Sequence, residues 1–234
     1  SDDAAAMAQD SLGGEYEVLF NGVEVARSVS VEPWPTEGPT VFFIGRHEPR
    51  KGLSVLLDAM GTLGPEVRLW IAGDGPETDE LRARVTGDPR IEWLGRISDA
   101  ERTARLRGAD AFCAPSLRGE SFGVVLLEGM ACGTPVVASD IPGYARVARG
   151  GDDALLVEPG DSDALGAALA KVLADPVLAH VPREVVFEHA HEDDRQEHRE
   201  QDHEHERVDD RQPVYLKGLR QEGRLCVSTH AVLE

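Results

Sequence analysis

The stretch Ala111-Phe112-Cys113-Ala114-Pro115-Ser116-Leu117-Arg118-Gly119-Glu120-Ser121-Phe122-Gly123-Val124-Val125-Leu126-Leu127-Glu128 decides the architecture. Its first four residues are apolar and predict a short buried strand, Ala111–Ala114. Pro115 through Gly119 breaks that pattern, and the apolar run beyond it predicts a helix over Phe122–Cys132. A strand that passes through a glycine-bearing loop into a helix is the repeating unit of a doubly wound α/β sheet. Such sheets bind ligands at the carboxyl ends of their strands, so the loop itself is where chemistry is expected.

Working outward, the same alternation recurs. Strands are predicted at Tyr16–Phe20, Thr40–Ile44, Val67–Ile71, Ile91–Leu94, Pro135–Ala138 and Ala154–Val157. They are short and apolar or β-branched, as parallel strands buried on both faces are. Helices are predicted at Gly52–Leu63, Thr78–Val85, Asp99–Arg107 and Ser162–Leu173. Leu53, Leu56, Leu57 and Met60 fall on one stripe of the first of these. The expected fold is therefore a Rossmann-like α/β domain with a doubly wound parallel sheet.

The opening stretch also carries the most specific chemistry. Glu128 follows Glu120 by eight residues, a little over two helical turns. It sits in an apolar run, so its carboxylate should be partly buried and in need of donors. Vicinal ribose hydroxyls would supply two. The amides near Ser121, Phe122, Gly123 and Val124 open a helix and suit an anion. The plainer alternative is that Glu120 caps the helix and Glu128 pairs with an arginine such as Arg118.

Two other junctions matter. Gly45-Arg46-His47-Glu48-Pro49-Arg50-Lys51-Gly52 follows a predicted strand and opens a helix. Arg46, Arg50 and Lys51 concentrate positive charge there, and a helix N-terminus adds about half a charge more. Such a turn suits a diphosphate, with Gly45 allowing close approach; a solvated basic turn is the alternative. Ser139-Asp140-Ile141-Pro142-Gly143-Tyr144 reads as a loop that could close over a sugar. Gly73-Asp74-Gly75-Pro76-Glu77 reads as a structural strand-to-helix turn.

The formal net charge of −19 argues against nucleic acid and against anionic membrane surfaces as partners of this domain. No stretch is long and apolar enough to span a bilayer. Cys113, Cys132 and Cys226 form an odd set without metal-ligand spacing, which predicts reduced thiols and a cytoplasmic setting. The chain opens at Ser1 without an initiating Met, as a fragment or processed chain would.

Near residue 180 the composition changes. Between Val181 and Gln212 twelve acids face five arginines with almost no apolar residue after Phe187, too little to bury against the ordering entropy. The expected organisation is 1–22 as the remnant of a preceding domain and a hinge, 23–180 as the Rossmann-like domain, and 181–234 as a tail outside the fold. His198, His203 and His205 lie in that tail, where loose uptake of metal, and no functional metal site, is expected.

Taken in order, Asn21-Gly22-Val23, Gly45-Arg46 with Lys51-Gly52, Gly73-Asp74-Gly75-Pro76 and the Glu120–Glu128 pair resemble a family-4 retaining glycosyltransferase of the two-Rossmann-domain (GT-B) architecture. Gly129-Met130-Ala131-Cys132-Gly133-Thr134-Pro135-Val136-Val137-Ala138-Ser139 continues the likeness, which runs from about Ser1 to about Pro176. Glu-Pro-Arg-Lys-Gly and Cys-Ala-Pro before Gly-Glu-Ser-Phe-Gly are similar to actinobacterial phosphatidylinositol mannosyltransferases.

The resemblance implies GDP-mannose as donor, a lipid or glycan acceptor such as phosphatidylinositol, and retention at the anomeric carbon. It implies that Arg46 and Lys51 contact the diphosphate beside Gly45, that Glu128 holds the ribose, and that Glu120 binds the transferred sugar. Ser121, Phe122, Gly123 and Val124 would offer backbone donors. No cofactor or metal is expected, and the full-length protein would work at the inner face of the plasma membrane. The alternatives are a non-catalytic nucleotide-sugar-binding module and a retaining transferase using a UDP-sugar. A phosphorylase-type domain would need a cofactor lysine, and none is marked.

Three departures accompany the likeness. The acceptor-binding first domain of such enzymes would precede Ser1, so the chain as written is expected to bind donor weakly and transfer nothing. The third loop reads Pro142-Gly143-Tyr144-Ala145-Arg146 where many relatives have a double glycine followed by a glutamate. The closing helix of the family is not recognisable after Pro182; a changed reading frame, an erroneous gene end and a genuine tail are the alternatives.

Overall fold

The computed structural model describes residues 31–145, 147–148 and 153–175, with residues 11–12, 23, 28 and 30. The strand expected at Tyr16–Phe20, most of the hinge and the tail from 181 onward lie outside the described residues.

Among the described residues six parallel strands form one sheet: β1 Thr40–Ile44, β2 Arg68–Ala72, β3 Ile91–Gly95, β4 Ala111–Ala114, β5 Val136–Ser139 and β6 Leu155–Val157. Their spatial order is β3-β2-β1-β4-β5-β6, that of a doubly wound sheet. The helices are α1 Leu53–Ala59, α2 Thr78–Arg84, α3 Asp99–Gly108, α4 Val124–Cys132, α5 Pro142–Ala145 and α6 Ser162–Ala174.

The period of two along each strand divides the core. Val41, Phe43, Leu69, Ile71, Ala111, Cys113 and Val137 point to one face, where Leu53, Leu56, Leu57 and Met60 meet Leu81 of α2 and Leu165, Leu169 and Val172 of α6. Phe42, Trp70, Ala72, Phe112, Ala114, Val136 and Ala138 point to the other, against Leu106 of α3, Leu126 and Met130 of α4, and Tyr144 of α5. Both faces are covered, which is why these strands read as unbroken apolar runs rather than alternating ones.

Several boundaries differ from the sequence expectation. The first helix ends at Ala59 rather than Leu63, where Gly61 follows and Thr62 Oγ1 donates to the Ala59 carbonyl at 2.8 Å. The residues Pro142–Ala145, read as loop, form α5. The helix expected from Phe122 starts at Val124 instead. Gly123 precedes it with φ +79°, a left-handed conformation that ends the incoming loop.

Candidate functional site at the sheet switch point

β1 and β4 are neighbours in space, yet β2 and β3 intervene in sequence. The loops leaving β1 and β4 therefore flank a topological switch point at the carboxyl edge, where open α/β sheets bind their ligands. The two junctions singled out from sequence are those two loops.

The β1 loop is held from behind. His47 N–H donates to the Asp74 carbonyl at 2.9 Å, and Glu77 N–H donates to the His47 carbonyl at 3.0 Å. His47 itself is buried, with Nδ1 2.8 Å from Thr78 Oγ1 and its ring edge-on to Trp93. Its Nε2 makes no hydrogen bond of good geometry. Burial pushes its pKa down, opposed by the Ala72 carbonyl and Asp74 and reinforced by Arg82. A neutral imidazole thus ties the β1 loop to the Gly73–Thr78 turn, consistent with the structural role read for that turn.

Beyond His47 a 3-10 turn, Pro49–Lys51, leads into α1 through Gly52. Gly52 has φ +67°, and a Cβ placed there would overlap the Pro115 carbonyl oxygen at the start of the β4 loop. The backbones of the two loops are thus in contact. Leu117 N–H donates to the Arg50 carbonyl at 2.7 Å, and Arg50 Nη1 donates to the Gly119 carbonyl at 3.1 Å.

This contact brings Lys51 and Glu120 together. Lys51 Nζ lies 2.6 Å from Glu120 Oε1, and Arg50 Nη1 lies 3.2 Å from the same oxygen. Ser116 Oγ is 3.1 Å from it and 2.9 Å from the Tyr144 hydroxyl. The Lys51 and Glu120 side chains are only 19% and 13% exposed, so their attraction is less screened than that of a surface pair.

Other expected residues fall differently. Arg46 is 69% exposed, its nearest charged partner Glu48 at 3.6 Å, while Arg50 takes Glu48 at 2.7 Å. Glu48 therefore offsets part of the positive field read from Arg46 and Arg50. Gly45 N–H donates to the Ala72 carbonyl at 3.2 Å, within the sheet edge. Ser121 and Phe122 precede the helix rather than forming its first turn, which corrects the expected set of helix-start amides. The first-turn amides belong to Val124 and Val125, behind a glycine cap that has no side chain to satisfy them. Glu120 does not cap the helix.

Glu128 lies on α4 and pairs with Arg102 of α3 at 3.1 Å, not with Arg118, which is exposed. The alternative of an arginine partner is realised, with a different arginine. Burial is the main cause that raises the Glu128 pKa, Arg102 opposes it, and Asp99 adds to it. A raised acid pKa stabilises the fold below the ordinary carboxylate range, and that contribution is lost as pH rises through the raised value. Glu128→Gln should therefore gain stability over wild type on going from acid to neutral pH. Melting curves across that range check this; a gap that stays constant or reverses would contradict it.

Arg50, read from sequence as one of the cations of the basic turn, also meets Glu120. Ser116, Tyr144 and Arg102 were missed as members of the site. Ser116 carried a local signal, four residues before Glu120. Tyr144 and Arg102 carried none, because only packing brings them near.

Among the described residues no group of three or more His, Cys, Asp and Glu side chains is placed to hold a metal ion. Among them also, no helix is long and apolar enough to cross a membrane. Cys113 and Cys132 are buried free thiols, and burial pushes the pKa of both up.

Sheet order and switch-point loops define a Rossmann-like α/β domain. The chain belongs to the family described as glycosyl transferases group 1, which matches residues 38–175. It is 46% identical over 187 residues to phosphatidyl-myo-inositol mannosyltransferase of Mycobacterium leprae, covering 76% of this chain and 50% of that protein. It is 44% identical to the enzyme of the same name from Mycolicibacterium smegmatis, covering 76% and 48%. The chain thus spans about half the length of the curated relatives it matches.

Solved structures agree on the fold. Sucrose-phosphate synthase from Thermosynechococcus elongatus superposes with a TM-score of 0.63 at 28% identity, covering 76% of this chain and 49% of that one. Anabaena HepE in complex with UDP and glucose superposes with a TM-score of 0.64 at 24% identity, covering 74% and 52%.

Proposed function

We propose that this domain binds the nucleotide-sugar donor of a retaining mannosyltransferase, with GDP-mannose as donor and a phosphoinositide lipid as acceptor. The observation that carries the reading is the Lys51–Glu120 contact across the β1/β4 switch point. It puts a cation for a diphosphate beside a carboxylate for sugar hydroxyls. The names of the mannosyltransferase relatives support the sugar and the acceptor.

In this reading the diphosphate rests between Lys51, Arg46 and the first-turn amides of α4, and Glu128 takes the ribose while keeping its ion pair with Arg102. Negative charge grows on the diphosphate as the glycosidic bond breaks. Donors already aimed there stabilise the transition state more than the ground state. We assign that role to cations and amides, with no metal and no other cofactor. We further propose that transfer to the acceptor takes place at the cytoplasmic face of a membrane.

Calorimetry with GDP-mannose, GDP, UDP-glucose and UDP tests the reading. GDP-mannose should bind, and EDTA should leave its affinity unchanged. Glu120→Ala should weaken GDP-mannose about 10- to 30-fold, the loss of a charge-assisted hydrogen bond, and GDP hardly at all. Preference for UDP-glucose would transfer the assignment to a UDP-sugar enzyme. Failure of all four ligands to bind would end it.

A further inference from the structure

All three donors around Glu120 take the same oxygen. Lys51 Nζ, Arg50 Nη1 and Ser116 Oγ all lie within 3.2 Å of Oε1. Among the described residues, Oε2 has no such partner. Among these residues the hydrogen bonds anchor one carboxylate oxygen only.

The third of those donors belongs to a chain of hydroxyls. Ser116 Oγ is 2.9 Å from the Tyr144 hydroxyl. An ionised carboxylate can only accept, and a serine has one proton to give. Ser116 therefore donates to Glu120, and Tyr144 must donate to Ser116. Tyr144 is buried, and burial raises its pKa above that of a free phenol, so the proton it donates is retained at neutral pH.

The backbone keeps this chain short. Gly143 packs directly on the Glu120 carbonyl, where a Cβ would overlap the oxygen. Tyr144 also fills the space beside Gly123, whose added Cβ would lie 2.8 Å from Tyr144 Cδ1. The short helix α5 thereby abuts both ends of the segment that carries Glu120.

We propose that Tyr144 and Ser116 are positioning residues that orient the Glu120 carboxylate toward the sugar of the donor. The third loop then acts through its buried tyrosine rather than by reaching the sugar itself. This rests on the reading of Glu120 as a sugar contact. The relay fixes the carboxylate by hydrogen bonds from hydroxyls, while Lys51 stays able to leave Oε1 for a diphosphate.

The test compares the affinities of the 234-residue chain for GDP-mannose and GDP. Their ratio isolates what the sugar adds. Ser116→Ala should cut that ratio about five- to tenfold and Tyr144→Phe about threefold, with GDP alone changed less than about twofold. Because Tyr144 acts only through Ser116, the double variant should match Ser116→Ala alone. A general loosening of the fold would instead weaken both ligands, and melting temperatures would fall in step.

Additive effects of the two substitutions, or an unchanged ratio in both, would overturn the relay. Glu120→Gln separates the two levels. If it abolishes the sugar contribution while Tyr144→Phe and Ser116→Ala do not, the relay fails and the site reading stands. If Glu120→Gln leaves the ratio intact as well, the sugar role of Glu120 fails and the relay falls with it.

Discussion

Replacing Gly52 with alanine is expected to cost this domain much of its stability. Two penalties coincide there. The residue sits at φ +67°, and a methyl would overlap the Pro115 carbonyl oxygen. A left-handed backbone costs an ordinary residue about 1–2 kcal/mol, and forcing an atom into a closed contact costs about 1–3 kcal/mol more. Neighbouring side chains cannot yield, because the obstacle is backbone. With stability typically about 5–15 kcal/mol in total, much of the margin disappears. A fall in melting temperature of about 10 °C is the expected reading.

Gly87 supplies the control. It has φ +87°, with nothing within 4 Å of an added Cβ. Gly87→Ala should therefore show the backbone penalty alone, about 1–2 kcal/mol. The difference between the two variants reports the contact between the β1 and β4 loops. If Gly52→Ala melts no lower than Gly87→Ala, the loops are not in that contact. Where Gly52→Ala remains folded, it should still lose donor affinity, because the same contact sets Lys51 against Glu120.

That contact also marks where sequence reasoning stopped. Strands such as Thr40–Ile44 and Ala111–Ala114 were legible to the residue, since burial on both faces leaves mostly apolar side chains between turn residues. The two loops were legible as separate junctions. Their convergence followed from sheet order, because strands alternating with helices imply a switch point. Helix starts were less legible. Phe122 continues the apolar run into α4, and nothing local announces that Gly123 turns left-handed and delays the helix to Val124.

Long-range partners were illegible for a physical reason. Arg102 and Glu128 meet because α3 and α4 pack side by side on one face of the sheet. Neither residue's neighbours in sequence carry that information, so the plainer alternative offered Arg118, the arginine nearest Glu128 in sequence, where the structure pairs Glu128 with Arg102. Tyr144 was hidden in the same way. A tyrosine after Pro-Gly reads as part of a turn, and its link to Ser116 depends on α5 folding back over the β4 loop.

Lys51→Ala should cause the largest loss of donor binding, and its pattern should differ from that of the Glu120 variants. The ammonium is mostly shielded from water and within 2.6 Å of a carboxylate. When a diphosphate arrives, the two anions compete for one cation, and Arg50 and Ser116 remain with Glu120. Removing the lysine leaves the phosphates with fewer positive partners in a partly desolvated site. Hydrogen bonds to charged groups contribute about 1.5–3 kcal/mol, so GDP and GDP-mannose should both weaken by roughly 10- to 150-fold. Glu120→Ala should weaken GDP-mannose only. It should leave GDP unchanged or slightly tighter, because Lys51 no longer has to leave a competitor. Calorimetry of the two ligands against the two variants yields four affinities whose pattern is fixed in advance. Wild-type GDP affinity in Lys51→Ala would show that the diphosphate does not rest at the switch point, and the donor assignment would fall with it.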